Sequence, residues 1–311
     1  MAAARVVKRA LSLDGVWIPL TTPFGKDGSI NWKGLEHNLR IYERVPFAGY
    51  VVAGSNGEAP YISPEERIQL VKAVRKTTEK PIIGGATAES TTATCQLAKG
   101  IADAGADGLL VMAPFYFRKR MTDEALSYHF KKVAEETELP LVIYNMPFVT
   151  GIDISTPTLA KLAEHELIRG VKDSDIRKCA ATVQETRSLN FDVLIGSAGY
   201  LLGALLAGCA GGINGLAGVM GADICKIYSC FKSNDIQKAN EIQNKIVKAD
   251  ILFMVEQGVP GLKAGMDNVG LVGGDCRVPI QPLPEKEKEK IRQFIHDSGL
   301  LPVQKSQQMQ N

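Results

Sequence analysis

The chain has almost no surplus of charge of either sign: among its 311 residues, 36 lysines and arginines face 34 aspartates and glutamates, a formal charge of +2. So even a balance excludes the electrostatic footprint of a nucleic-acid or anionic-membrane binder. The six cysteines, Cys95, Cys179, Cys209, Cys225, Cys230 and Cys276, show no zinc-like paired spacing and sit mostly among apolar neighbours. They read as reduced core thiols of an intracellular protein. The four histidines, His37, His129, His165 and His296, have no ligand spacing, so no catalytic metal is expected. No apolar run is both long enough and free enough of glycine to span a bilayer. The nearest, residues 201–220, is broken by glycine at 203, 208, 211, 212, 215 and 218, and reads as a buried helix followed by a buried strand. No Gly-x-Gly-x-x-Gly fingerprint follows the first apolar run, which counts against an open dinucleotide-binding sheet. The first ten residues carry Arg5, Lys8 and Arg9 and no apolar signal core. They fit a transit-peptide remnant or the basic start of a cytosolic protein, so the expected compartment is cytoplasmic or mitochondrial.

What the chain does have is an alternation of short and long patterns. Short apolar runs lie at 16–20, 49–53, 81–85, 108–112, 139–144, 168–172, 193–196 and 211–214, several rich in β-branched residues. Between them run stretches of helical period such as 30–42 and 64–77. In the second, Ile68, Leu70, Val71 and Val74 make the apolar face, and Glu65, Glu66 and Arg67 face water. Ser63-Pro64-Glu65-Glu66 starts that helix with a capping serine, a first-turn proline and acids against the dipole; Thr122-Asp123-Glu124 and Ser155-Thr156-Pro157 read alike. Eight strands, each followed by a helix, predict an α/β fold: a (β/α)8 TIM barrel with an appended C-terminal helical layer. The expected division is an N-terminal extension over 1–14, the barrel over 15–233, a helical region over 234–301 and a flexible tail over 302–311. The barrel's eighth helix is expected at 224–233. Further helices are expected at 235–255, 262–269 and 285–298, with a Gly/Pro turn at 258–261.

In such a barrel the strand ends converge on one pocket. Lys172, in Gly170-Val171-Lys172-Asp173-Ser174, ends the sixth run; Tyr144, in Tyr144-Asn145-Met146-Pro147, ends the fifth. A charged lysine at the end of a buried strand is costly, so it needs a counter-charge, an outlet to water or the loss of its proton. Asp173 is adjacent, but neighbours along a strand point to opposite faces. An amine beside a phenol suggests amine catalysis with a proton relay; the competing reading is a structural lysine and a core tyrosine with its hydroxyl at the rim. The second run ends in Gly54-Ser55-Asn56-Gly57-Glu58, whose N–H groups either hold a carboxylate or merely close a tight turn. Phe115-Tyr116-Phe117 places three adjacent aromatics in a chain with only 6% of them, to wall a pocket, meet another subunit or plug a loop. Gly196-Ser197-Ala198-Gly199 and Gly211-Gly212-Ile213-Asn214-Gly215 either admit a small ligand to the backbone or pack the barrel. Small and polar groups at several strand ends together fit a barrel mouth made for a small anionic substrate.

With these residues in place the chain resembles the dihydrodipicolinate synthase and N-acetylneuraminate lyase superfamily, the pyruvate-type class I aldolases. The resemblance runs from about residue 15 to 301 and is carried in order by Pro19-x-Thr21-Thr22-Pro23-Phe24, Gly54-Ser55-x-Gly57-Glu58, Tyr144-Asn145-x-Pro147, Gly170-Val171-Lys172-Asp173-Ser174 and Gly196-Ser197. Within the superfamily, Ser55-Asn56, Arg118-Lys119-Arg120-Met121, Gly196-Ser197-Ala198-Gly199, Gly258-Val259-Pro260-Gly261-Leu262-Lys263 and Cys276-Arg277-x-Pro279 look most like 4-hydroxy-2-oxoglutarate aldolase. The resemblance implies Lys172 as the Schiff-base lysine and Tyr144 as the proton shuttle. Ser55 would link Tyr144 by hydrogen bonds to Tyr116, which in relatives reaches into the neighbouring subunit's site. Ser55 and Asn56 N–H groups would hold the pyruvyl carboxylate, Ser174 and Gly196 would line the substrate's distal end, and Asn214 is a further rim candidate. No cofactor and no metal are implied; the implied partners are a keto acid and further copies of the chain, in a homotetramer built from two dimers. There are departures. Synthases of the superfamily have an arginine, two residues after the proline of the Tyr-Asn-x-Pro segment, that receives a substrate carboxylate; here that place is Val149, which cannot form the pair. They also have threonines where this chain has Ser55-Asn56.

The expected activity is cleavage of a 4-hydroxy-2-oxo acid, foremost 4-hydroxy-2-oxoglutarate, to pyruvate and glyoxylate. The alternatives are an aldolase for a sugar-derived 2-keto-3-deoxy acid or N-acetylneuraminate, or a dihydrodipicolinate synthase-like condensing enzyme. A non-catalytic keto-acid binder is disfavoured, because Lys172, Tyr144, Ser55 and Tyr116 are all present.

Overall fold

The computed structural model describes residues 11–299; the basic first ten residues and the expected tail over 302–311 lie outside them. Each short apolar run forms a strand: β1 Gly15–Pro19, β2 Gly49–Val52, β3 Ile82–Gly85, β4 Gly108–Met112, β5 Leu141–Tyr144, β6 Ile168–Asp173, β7 Asp192–Ile195 and β8 Gly211–Ile213. All pair in parallel, in chain order, and β1 closes on β8. Strand alternation splits their side chains between two cores. Trp17, Val51, Ile83, Leu110, Val142, Tyr144, Leu194 and Ile213 fill the barrel. Val16, Ile18, Val52, Ile82, Val111, Ile143 and Val171 face the helices.

Of the expected extension over 1–14, residues 11–14 are described. Leu11 and Leu13 are buried with the barrel-filling residues, and Trp17 Nε1 donates to the Leu13 carbonyl at 3.1 Å. Their room comes from glycine: a Cβ on Gly108 would stand 2.7 Å from Leu11 and one on Gly170 2.9 Å from Leu13. These two leucines therefore cap the barrel at the starts of its strands.

The helices are α1 Trp32–Tyr42, α2 Pro64–Arg75, α3 Thr91–Asp103, α4 Asp123–Thr137, the single turn α5 Pro147–Thr150, α6 Thr156–Ala163, α7 Ile176–Thr186, α8 Leu201–Leu206 and α9 Ala217–Lys232. Ser63 and Glu66 form a reciprocal capping box on α2, and Thr122 and Ser155 cap α4 and α6. The eighth helix, α9, starts seven residues earlier than expected and is kinked at Met220. The glycines there mark close packing, not a missing helix: a Cβ on Gly221 would fall 2.3 Å from the Phe47 ring.

Beyond the barrel, α10 Ile236–Asp250 passes through a π-helical stretch, Ile251–Glu256, into α11 Gly258–Asn268, and α12 Glu285–Asp297 follows. The expected Gly/Pro turn at 258–261 is instead the first turn of α11, where proline forfeits no helical hydrogen bond. α10 packs on α9 and on the turn Ala198–Tyr200 at the end of β7, so the appended layer touches the barrel mouth. No helix among the described residues is long and apolar enough to cross a membrane.

Candidate active site

β5 and β6 present Tyr144 and Lys172 as register partners. The side chains are 5% and 6% exposed, and Lys172 Nζ lies 4.1 Å from the centre of the Tyr144 ring. Among the described residues Lys172 belongs to no ion pair. Asp173 is turned away, as alternation requires. It accepts from Asn145 Nδ2 at 2.6 Å and from the Asp175 N–H at 2.9 Å, and burial pushes its carboxyl above the ordinary range. Asn145 also donates from Nδ2 to Asp153 at 2.9 Å, accepts the Ile154 N–H at 3.1 Å, and donates its own N–H to the Lys172 carbonyl at 3.0 Å. This asparagine rivets the ends of β5 and β6 together and keeps the one adjacent carboxylate off the amine.

Gly196, at the end of β7, donates its N–H to the Asp173 carbonyl at 2.7 Å. A Cβ there would stand 3.3 Å from Lys172 Cε and 2.4 Å from Ser174 Oγ, so glycine leaves the lysine stem its space beside the exposed Ser174. The next residues are clamped from α10. Ser197 Oγ donates to Asp250 Oδ2 at 2.5 Å, and Gln243 Nε2 donates to the carbonyls of Ala198 and Gly199, each at 3.0 Å. Asp250 and Gln243 are themselves buried, and burial raises the Asp250 carboxyl while the Ser197 bond opposes that shift. Neither was expected from sequence. The available cue was two polar residues seven positions apart on the inner face of an amphipathic helix.

The β2 turn, Ser55–Gly57, is framed by two strained residues, Ala53 at φ 57° and Glu58 at φ 60°. Left-handed backbone outside glycine costs about 1 kcal/mol or more each and concentrates at functional sites. Thr22 Oγ1 donates to the Gly57 carbonyl at 2.8 Å and fixes the turn against β1. Asn56 is buried with its Nδ2 unpartnered; a Cβ on Gly215 would fall 2.3 Å from that nitrogen. Asn214 is wholly buried, its Nδ2 donating to the Ile195 carbonyl at 3.1 Å and its Oδ1 unpartnered. Ser55 is half-buried, and among the described residues neither its hydroxyl nor that of Tyr144 has a hydrogen-bond partner. Tyr116 is 77% exposed, edge-on to Phe117 at 5.0 Å between ring centres. Its loop is held by Glu89, also unforeseen, whose Oε2 accepts the N–H groups of Phe115 and Tyr116 at 3.0 and 2.8 Å. One chain thus brings Lys172, Tyr144, Gly196 and Ser174 together and leaves Tyr116 outside.

Glu58, at the end of the β2 turn, ties this site to the C-terminal layer. Its Oε1 lies 2.5 Å from Lys263 Nζ of α11, with both side chains at most 2% exposed. The lysine also donates to the Asp275 carbonyl at 2.7 Å and lies 4.7 Å from the centre of the Phe24 ring. Glu58 Oε2 accepts the Arg277 N–H at 2.8 Å, and the Arg277 guanidinium forms two 2.7 Å bonds to Glu66. The Gly258–Lys263 and Cys276-Arg277 motifs are therefore the C-terminal half of a clamp on the β2 turn. All six cysteines are free thiols; that of Cys276 is pushed up to about 12 by burial, which leaves it a poor nucleophile.

The dihydrodipicolinate synthetase family model matches residues 12–298. The 4-hydroxy-tetrahydrodipicolinate synthase of Archaeoglobus fulgidus is 31% identical over 93% of this chain and 99% of its own length; that of Syntrophus aciditrophicus is 32% identical over 92% and 99%. Among solved structures, the chloride-inhibited dihydrodipicolinate synthase of Acinetobacter baumannii, complexed with pyruvate, matches with a TM-score of 0.88 and 31% identity over 93% of this chain and 100% of that one. These relatives carry the synthase name rather than that of the 4-hydroxy-2-oxoglutarate aldolase that the sequence motifs most resemble.

Proposed function

The chain belongs to the dihydrodipicolinate synthetase family and is a class I, pyruvate-type carbon–carbon lyase, and from that premise we propose that Lys172 is its imine-forming amine. The observation that carries the reading is a buried lysine without a carboxylate partner, 4.1 Å from the centre of a tyrosine ring at the mouth of a closed barrel. The unprotonated amine adds to C2 of a 2-oxo acid and water leaves, giving an iminium that draws electrons from C3. Tyr144 takes the C4 hydroxyl proton, the C3–C4 bond breaks to release an aldehyde, and the remaining enamine gains a proton at C3 and is hydrolysed to pyruvate. In reverse the same steps join pyruvate to an aldehyde. The unpartnered Asn56 Nδ2 and the N–H groups of Ser55 and Asn56 suit the pyruvyl carboxylate, since buried donors ordinarily find acceptors.

For the second reactant we propose a short aldehyde that bears a carboxylate. The names of the relatives support a condensing enzyme of the synthase kind. Val149, which leaves the β5 loop without an arginine, counts against the synthases' way of receiving their substrate carboxylate, and the motifs that resemble the aldolase support cleavage of 4-hydroxy-2-oxoglutarate to glyoxylate instead. Pyruvate release from 4-hydroxy-2-oxoglutarate, measured against formation of 4-hydroxy-tetrahydrodipicolinate on the same preparation, separates the two; turnover of neither defeats both. Tyr116, exposed on its loop, joins the relay in this reading only from a second copy, which makes a dimer the minimal active unit and a pair of dimers the expected assembly.

A further inference from the structure

A carboxylate on the aldehyde portion needs a cation at the mouth, and few are available. The loops after β2, β3, β5, β7 and β8 (residues 53–63, 86–90, 145–155, 196–200 and 214–216) contain no lysine or arginine. At the start of α7, Arg177 is already paired to Asp175 at 2.9 Å and Lys178 to Asp153. Lys26, after β1, lines a separate 260 Å³ cavity with Lys263, Asp267 and Asp275. At the start of α2, Arg67 is spent on the carbonyls of Thr87 and Ala59, at 2.8 and 2.6 Å. What remains is Arg118-Lys119-Arg120 after β4, whose side chains form no ion pair among the described residues.

Of these three, Arg118 lies against the loop after β5. β4 is the neighbour of β5, with Met112 in register with Tyr144. Glu89 fixes the Phe115-Tyr116 step that launches the loop. The guanidinium is laid against Gly151 at the end of α5: a Cβ there would stand 3.2 Å from both Cδ and Nη1 of Arg118. Gly151 is left-handed, at φ 65°, and ends the single turn α5 within the loop that follows Tyr144. Val149 stands two residues before it, 47% exposed. We infer that Arg118 captures the carboxylate of the aldehyde portion, its planar fork supplying from β4 the bidentate contact that the β5 loop lacks. This inference rests on the proposed imine chemistry, and it makes Arg118 a specificity-determining residue for a substrate with a second carboxylate.

The test compares cleavage of 4-hydroxy-2-oxoglutarate with that of 4-hydroxy-2-oxopentanoate, in which a methyl group replaces the second carboxylate, in wild type, Arg118→Ala, Arg118→Lys and Arg118→Ala/Val149→Arg. Loss of a charge-assisted contact predicts that the wild-type KM preference for the dicarboxylate falls about tenfold to a hundredfold in Arg118→Ala. Arg118→Lys should lie between, and arginine at 149 should restore part of the preference. An unaltered ratio overturns the inference, as does a wild type with no preference for the dicarboxylate. It is overturned as well if Arg118→Ala acts by dissociating an oligomer, seen by light scattering, with equal losses on both substrates. Borohydride trapping of pyruvate by the wild type reports separately on the imine: if it fails, the function reading fails before Arg118 is in question.

Discussion

Two lysines are buried at opposite sides of the same barrel mouth's framework, and they differ in one respect. Lys263 and Lys172 both lie over aromatic rings, at 4.7 Å from the centre of Phe24 and 4.1 Å from that of Tyr144. Lys263 has a buried carboxylate at 2.5 Å and a carbonyl at 2.7 Å; Lys172 has neither, and its nearest acid in sequence is drawn off by Asn145. Burial alone therefore does not mark a nucleophile. A counter-charge converts a buried lysine into a structural tie, whereas its removal leaves an amine free to attack. The ionic tie sits at the end of the β2 turn, to which the proposed mechanism assigns the pyruvyl carboxylate.

The largest effect that could break this contrast is on turnover. Lys172→Met keeps the volume and removes the amine, and should lower kcat/KM on the order of 10⁴-fold or more while the thermal midpoint stays within a few degrees of wild type. Pyruvate release and a melting curve check both halves. Lys263→Met should do the reverse in kind: it strands Glu58 and costs about 3–5 kcal/mol of stability in urea unfolding. Adding Glu58→Gln should return more than half of that loss; no recovery would mean that the pair is not the tie described. Tyr144→Phe should lower kcat about 10²-fold with little change in stability, read by steady-state kinetics. The smallest effect concerns a third buried base. His129, between α3 and α4, has Nδ1 3.0 Å from Thr91 Oγ1 and an unpartnered Nε2, and burial lowers its pKa from 6.5 to about 4. Unfolded chains take up that proton near pH 6.5 and folded ones only near 4, so stability is intact above 6.5 and declines as pH falls toward 4. The decline is about 1.4 kcal/mol per pH unit, hence about 1.4 kcal/mol by pH 5.5. In His129→Asn, unfolding measured at pH 7 and 5.5 should lack that part of the difference.

Much of the barrel was legible because period and punctuation are local. β4 falls on the expected residues, and the caps at Ser63, Thr122 and Ser155 stand where their chemistry put them. Lys172 and Tyr144 could be singled out because a polar residue after an apolar run is itself a local signal. The failures are non-local. Gly258 and Pro260 read as a turn because nothing nearby reveals that Lys263 must be aimed at Glu58, 205 positions away. Ser197 with Asp250, and the Tyr116 loop with Glu89, are likewise contacts between segments whose own patterns are complete without them. The burial of Leu11 and Leu13 within the expected 1–14 extension was not legible either, because the space they fill is shaped by glycines on β4 and β6.

The most direct test of the central claim is to add pyruvate and borohydride to the whole protein and map the adduct by mass spectrometry. With Lys172 as the imine-forming amine, one reduced pyruvyl group is expected, on Lys172 and absent in Lys172→Met. An adduct on Lys263 instead, or no covalent mass at all, would contradict it.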